Sequence, residues 1–227
     1  MLFRSLAVGA GVFAVAGDAP LLRRVLLVLV AGVPALRLAV HLLVDRVLRG
    51  EEDGRYRAPR SAWGVRFQAR LLGFFVAQAV ALVVLVATYA VAAGNDAPAP
   101  AAGDVAALVI AVIALSGEAL ADRQLARFRH DPAQRGRVCT VGLWRWSRHP
   151  NYFFQWLLWF APPLLSLGAD LAWLTLAAPA LMLLLLLRVT GIPPTEAQAL
   201  RTRGDAYRRY QRTTSAFVPW PPKKDLA

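Results

Sequence analysis

The chain has 227 residues, 57% of them hydrophobic and 18% charged, with a formal net charge of +12. That apolar share exceeds the norm for a soluble domain, and the absence of period-2 alternation argues against a membrane β-barrel. The basic excess comes from 24 Arg and 2 Lys placed between apolar runs. Membrane topology therefore explains it better than nucleic-acid binding, for which no reading module is visible. A single cysteine, Cys139, allows no internal disulfide, and three scattered histidines make no metal site.

Runs of about 17–24 apolar residues are long enough to cross a ~30 Å hydrocarbon core. The expected fold is an all-α polytopic membrane protein of about six transmembrane helices, with an amphipathic C-terminal segment and one domain over 1–227. The first run, Leu2 to Ala16, fits either a signal peptide or a short span. The spans that follow directly favour a span. The second, Leu21 to Val44, contains Pro34, a potential kink that neighbouring helices can re-satisfy. Arg37, His41 and Asp45 recur at i, i+4 and i+8 on one face of this helix. They read equally as charges snorkelling at a helix end or as a polar wall facing a cavity.

Residues 46–65 form a mixed-charge polar loop. A third span runs from about Leu71 to Ala92, and the Gly/Asn/Pro-rich stretch Gly94 to Gly103 ends it without any Lys or Arg. A fourth span starts near Val105, with Asp104 as expected N-cap, and runs into 117–121. Glu118 and Asp122 sit four apart near its end. Either they pair with Arg123, Arg127 or Arg129, or they face a cavity; the cost of a charge within a span favours the cavity. A fifth span, Tyr152 to Leu167, holds Pro162-Pro163, which predict a break or kink. A sixth runs from Leu171 to Leu187. Residues 195–212 read as an amphipathic helix on the membrane surface, interrupted by Gly204.

Arginine placement orients the chain. Segments 45–70 and 122–150 hold seven Arg each, the tail from Arg188 holds six Arg and two Lys, and the loops at 94–104 and 168–170 hold none. Six spans with both termini cytoplasmic fit this pattern, with Arg23-Arg24 as its weak point. Arg-over-Lys usage is the composition of a GC-rich bacterial genome, so the expected location is a bacterial inner membrane.

The densest polar cluster is Gly142-Leu-Trp-Arg-Trp-Ser-Arg-His-Pro-Asn-Tyr152, at the mouth of the fifth apolar run. Forked guanidinium groups suit phosphate, and tyrosines add aromatic faces, so the converging basic segments read as a nucleotide site. The same arginines could instead only anchor topology and lipid head groups. The stretch Trp144 to Tyr152, the pair Glu118-x-x-x-Asp122, and Arg203-Gly-Asp-Ala-Tyr-x-x-Tyr210 with Phe217-Val-Pro219 resemble the steroid 5α-reductase superfamily, in particular its broad bacterial branch. The resemblance covers roughly 105–222 and the region from Arg37 to Tyr56.

That resemblance implies a membrane fold binding NADPH from the cytosol. Residues 104–222 would form the cofactor-binding part, and the helices of 1–93 the substrate side. It points to Glu118, Asp122, Arg129, Arg148, His149, Asn151, Tyr152, Tyr207 and Tyr210 as cofactor-binding residues. The activity implied is hydride transfer to a polarised C=C bond of a lipophilic enone or sterol, an oxidoreductase acting on CH-CH groups. Two positions depart from the superfamily pattern. Gln155 stands where many relatives carry Glu, and the Leu2–Ala16 run stands where they carry a further helix with Asp and a Trp-Gly step. The substrate-polarising acid is therefore unplaced, with His41, Asp45 and Tyr89 as weak candidates. Membrane methyltransferases that use S-adenosylmethionine share Arg-His-Pro-x-Tyr and a basic tail, and offer the competing activity on a lipid or prenylated substrate. A non-catalytic membrane protein retaining the fold is the third reading. Glu118/Asp122 together with Asn151 favour the reductase.

Overall fold

The computed structural model describes residues 2–42 and 67–223. It is all-helical over these residues. The helices are α1 (Leu2–Ala16), α2 (Leu21–Leu42), α3 (Phe67–Ala93), α4 (Ala102–His130), α5 (Pro150–Leu158), α6 (Ala161–Leu165), α7 (Ala177–Leu184) and α8 (Ile192–Thr213). Three helical runs among the described residues are long and apolar enough to cross a membrane: Leu71–Ala93, Ala102–His130, and Ala172–Thr213, the last interrupted at Thr190-Gly191 ahead of its polar second half. The protein is membrane-embedded, and exposed Val76, Val80 and Val83 on α3 are lipid-facing side chains rather than unsatisfied surface.

The chain divides into two compact units. One comprises Met1–Asp104 with Pro162–Ala177, the other Val105–Ala161 with Ala178–Ala227. The first contains α1, α2 and α3, joined through small residues. Ala10, Ala14, Ala31, Ala35, Ala92 and Ala93 are all buried, and Leu27 and Leu85 fill the spaces between them. Small side chains let apolar helices approach closely where lipid gives no hydrophobic drive for association. At Gly17 the approach is tightest: a Cβ there would fall 2.3 Å from the Ala93 carbonyl oxygen. The helix α2 continues through Pro34.

Polar contacts gather where the turns of this unit meet. Arg23 is 1% exposed. Its Nε donates to Asp104 Oδ1 at 2.8 Å and its Nη2 to Asp104 Oδ2 at 3.0 Å, a forked ion pair. Its Nη1 donates to the carbonyls of Asn95 and Ala97. Asn95 in turn donates to the carbonyls of Leu165 and Leu167. The Ala19 amide donates to the Ala93 carbonyl. Arg24 caps the last turn of α1 through the carbonyls of Ala14 and Val15. Both arginines thus have local acceptors within this unit. These bonds also correct Asp104. The helix α4 starts at Ala102, so Asp104 is its third residue rather than its N-cap, and its Oδ2 accepts the Ala101 amide at 2.8 Å. A carboxylate reaching back from this position is half of a capping box.

The break near Pro162-Pro163 occurs as expected. α5 ends at Leu158 and α6 begins at Ala161. Pro162 and Pro163 lie in the first turn of α6, where a missing N–H forfeits no intrahelical bond.

In the second unit, Ala107, Ala111, Ala114 and Ala121 form a buried stripe along α4. Gly117 interrupts the side-chain surface where the Phe154 ring of α5 packs; a Cβ would meet that ring at 2.4 Å. Leu186, Ile192 and Phe217 form an apolar cluster with Tyr152, Phe153 and Trp156. A single π-turn at Leu185–Val189 follows α7. The helix α8 is two helical stretches joined at Gly204, whose φ of 49° and ψ of −123° break the helix where the sequence predicts.

Candidate functional site

The Gly142–Tyr152 stretch is shaped before any of its charged groups is placed. Gly142 has a φ of +57°, and a Cβ there would meet the Gln124 side chain at 2.3 Å. Gln124 Oε1 accepts the Leu143 amide at 2.9 Å, and Trp144 Nε1 donates to the Ala121 carbonyl at 2.9 Å. Both bonds fasten the loop to α4. The Tyr210 hydroxyl donates to the carbonyls of Trp144 and Ser147. Ser147 is fully buried, and its hydroxyl donates to the Phe217 carbonyl at 2.7 Å. The stretch 215–220 lies alongside: Ser147 and Ser215 form an isolated parallel bridge, and the Trp220 amide donates to the Trp146 carbonyl. α5 then begins at Pro150, where proline is preorganised for a first helical turn.

On this frame Glu196 of α8 is the hub. Its Oε1 accepts from Arg148 Nε at 2.7 Å and lies 3.4 Å from His149 Nε2. The Tyr207 hydroxyl also donates to Oε1, at 3.5 Å, and Gln211 donates to Oε2 at 2.9 Å. Burial opposes ionisation of this carboxyl. The His149 and Gln211 hydrogen bonds and the Arg148 charge outweigh it and hold the group at about 2. Arg148 also donates to the Gln211 and Thr214 carbonyls, so it acts as an inward strut between the loop and α8. Burial, reinforced for Tyr207 by the Glu196 charge, pushes both tyrosine hydroxyls well above their ordinary range, so they act as neutral donors.

Beside the hub, Asn151 Nδ2 donates to Asp122 Oδ1 at 3.2 Å, which joins the start of α5 to the end of α4. The His149 and Tyr152 rings stack at 5.3 Å and 10°. The Tyr152 hydroxyl meets Thr195 Oγ1 at 3.2 Å. Sequence-expected residues Arg148, His149, Asn151, Tyr152, Asp122, Tyr207 and Tyr210 thus fall on one connected set of contacts. Glu118 is half-buried one turn before Asp122 on α4, while Arg129 is exposed near its C-terminal end. Gln155 is half-buried on α5. Tyr89 is buried in the first unit, on α3. The His41 side chain, Asp45, and the loop through Tyr56 lie outside the described residues.

Glu196, Thr195 and Gln211 are the residues that sequence reasoning missed. The available signal was an acid just past the first turn of a helix entered through Pro193-Pro194, in a chain whose Arg-His pair needs an anionic partner.

Comparison with curated proteins and with solved structures gives no match. A family model described as "Protein of unknown function (DUF1295)" matches residues 3–214. That match takes in the whole of α4 to α8 and every residue of the hub, and the chain belongs to the DUF1295 family.

Proposed function

We infer that the protein is a membrane-embedded, NADPH-dependent reductase of a C=C bond in a lipophilic enone or sterol-like substrate, of the steroid 5α-reductase type. The observation that carries this reading is the Asp122–Asn151 pair at 3.2 Å. It presents an amide and a carboxylate together beside a fixed polar loop, and such a pair suits the carboxamide and ribose hydroxyls of a nicotinamide nucleotide. Arg123, Arg127 and Arg129, exposed on the last turns of α4, suit its phosphates. Glu196, held ionised, fixes Arg148 and His149, and Tyr210 fixes the loop carrying them. When bound, NADPH supplies hydride. This chain's residues would bind and orient it, and the apolar helices would admit a substrate from the bilayer.

Six spans with both ends on the cytosolic face belong to the same proposal. Its support is the bonding of Arg23, Asn95 and Ala19, which gathers the arginine-poor turns at 17–20, 94–101 and 165–168 at one end of the first unit. The amphipathic halves of α8 then lie along the basic surface of the membrane.

The test is titration calorimetry of the purified protein with NADPH, NADH and S-adenosylmethionine. NADPH binds most tightly on this reading. Asn151→Ala and Asp122→Ala each weaken it by roughly tenfold, about one hydrogen bond to a charged or amide group, without unfolding the protein. Binding of S-adenosylmethionine alone would assign the site to methyl transfer. Binding of none of the three would assign it to a structural role.

A further inference from the structure

Trp146 and Trp220 of the second unit are 44% and 66% exposed. They belong to one feature, because the Trp220 amide donates to the Trp146 carbonyl at 2.9 Å. Val218, on the same C-terminal segment as Trp220, is exposed as well. The height of this feature is set by α4, one of the helical runs long and apolar enough to cross a membrane. From Ala102 to Ala121 that helix rises about 28 Å, close to the thickness of a hydrocarbon core. At Ala121 and Gln124 it is bonded to Trp144 and Leu143, and the Trp146 amide closes a turn onto the Leu143 carbonyl. The paired segments therefore meet α4 where its apolar length ends and Asp122, Arg123 and Arg127 follow. The backbone here suits a layer poor in water. Pro219, Pro221 and Pro222 have no N–H, the Trp220 N–H is bonded, and the Lys223 amide donates to the Thr213 carbonyl at 2.8 Å. Each backbone donor from 219 to 223 is thus absent or satisfied, which removes the donors' share of the cost of leaving bulk water.

We propose that Trp146, Trp220 and Val218 anchor the second unit in the interfacial layer of the bilayer, at the level of the lipid glycerol and phosphate groups around the arginine-rich end of α4. An indole has an apolar body and a single N–H donor, a combination that favours this layer over both water and hydrocarbon. Arg145 and Lys223, exposed and next along the chain to the two indole segments, supply cations for the lipid phosphates. The anchor reaches beyond the indoles. The Ser147 hydroxyl holds the Phe217 carbonyl of the same C-terminal segment, so fixing Trp220 in the interface also fixes the height of the Arg148–His149 loop. The anchor needs no nucleotide chemistry in the second unit.

Depth-dependent quenching of tryptophan fluorescence tests this. The full chain is reconstituted in phosphatidylglycerol–phosphatidylethanolamine vesicles that carry a nitroxide on the head group, high on the acyl chain or near the chain end. Subtracting the emission of Trp146→Phe or Trp220→Phe from that of wild type isolates each indole. Head-group and high-chain nitroxides quench this difference severalfold more than the chain-end nitroxide, and aqueous iodide quenches it little. Val218→Trp adds a reporter to the intact anchor and shows the same pattern, so it decides the matter even if a phenylalanine variant fails to fold. Strong quenching by iodide with none from any nitroxide would place the indoles in water and overturn the proposal. Quenching by neither would show them covered by protein, a second copy included, and strongest quenching at the chain end would place them in the hydrocarbon; either result overturns it too.

Discussion

Two arginine–carboxylate pairs, one in each unit, use the same chemistry to opposite ends. Arg23 and Asp104 are 1% and 2% exposed, and the donors left over from the forked pair go to backbone carbonyls. Arg148 and Glu196 are 11% and 15% exposed, and the same carboxylate is shared with His149, Tyr207 and Gln211. The first pair is sealed and holds turns together. The second is accessible at its edges, lies next to the Asp122–Asn151 pair, and links a loop to two helices. An ion pair therefore does not identify a site. Its remaining contacts do, because backbone acceptors close a pair off whereas titratable and amide neighbours leave chemistry within reach.

The largest effect should come from breaking the sealed pair. Arg23→Ala strands the Asp104 charge and should cost about 3–5 kcal/mol in detergent unfolding, whereas Arg23→Met combined with Asp104→Leu should recover most of it. Nucleotide affinity per folded molecule should be unchanged in both. Equal losses in the single and double variants would show that the turns depend on the ions themselves.

Next is the open pair, through pH. Glu196 would titrate near 4.5 in an unfolded chain and is held at about 2 here. A depressed carboxyl stabilises the fold fully above pH 4.5, and its contribution disappears as pH falls from 4.5 through about 2. At 1.36 kcal/mol per pH unit this is on the order of 3 kcal/mol, as an upper figure. Glu196→Gln should flatten that part of the acid unfolding curve. Unlike the Arg23 variants, it should also weaken the NADPH binding we propose, since it releases Arg148 and His149. An acid profile identical to wild type would mean that Glu196 is not the hub.

Tyr210→Phe removes the donor to two loop carbonyls and should cost about 2 kcal/mol, read by thermal unfolding. Gly142→Ala should cost about 1 kcal/mol, since its φ of +57° penalises a Cβ. Retained Tyr210→Phe stability would place the loop's rigidity in its contacts to α4 instead.

What could be read from the sequence was whatever depends on near neighbours. Apolar runs gave the all-helical class and, of the six spans expected, three helical runs long and apolar enough to cross a membrane among the described residues. The Gly204 break and the Pro162-Pro163 interruption followed from the backbone limits of single residues. The helix expected from Tyr152 begins two residues earlier, at Pro150, which separates the polar from the apolar stretch. The missed features rest on partners far along the chain. Arg23 looked misplaced because Asp104 is 81 residues away. Glu196 passed unmarked because Arg148 lies 48 residues before it. The start of α4 was misplaced by three positions, with Asp104 read as N-cap, because Ala102-Gly103 carry little local signal for where a helix begins.

The parallel bridge between Ser147 and Ser215, with Ser147 reaching Phe217 across 70 residues, has a consequence for biosynthesis. A membrane chain is threaded into the bilayer as it emerges from the ribosome, so α4 and α5 are inserted while the last segment is still untranslated. The Arg148–His149 loop must wait, with its carbonyls and cations provisionally hydrated, until Tyr210 and 215–220 arrive to clamp it. A protein cut before Tyr210 would then integrate into the membrane with the Arg148–His149 loop unclamped, which limited proteolysis of that loop would read.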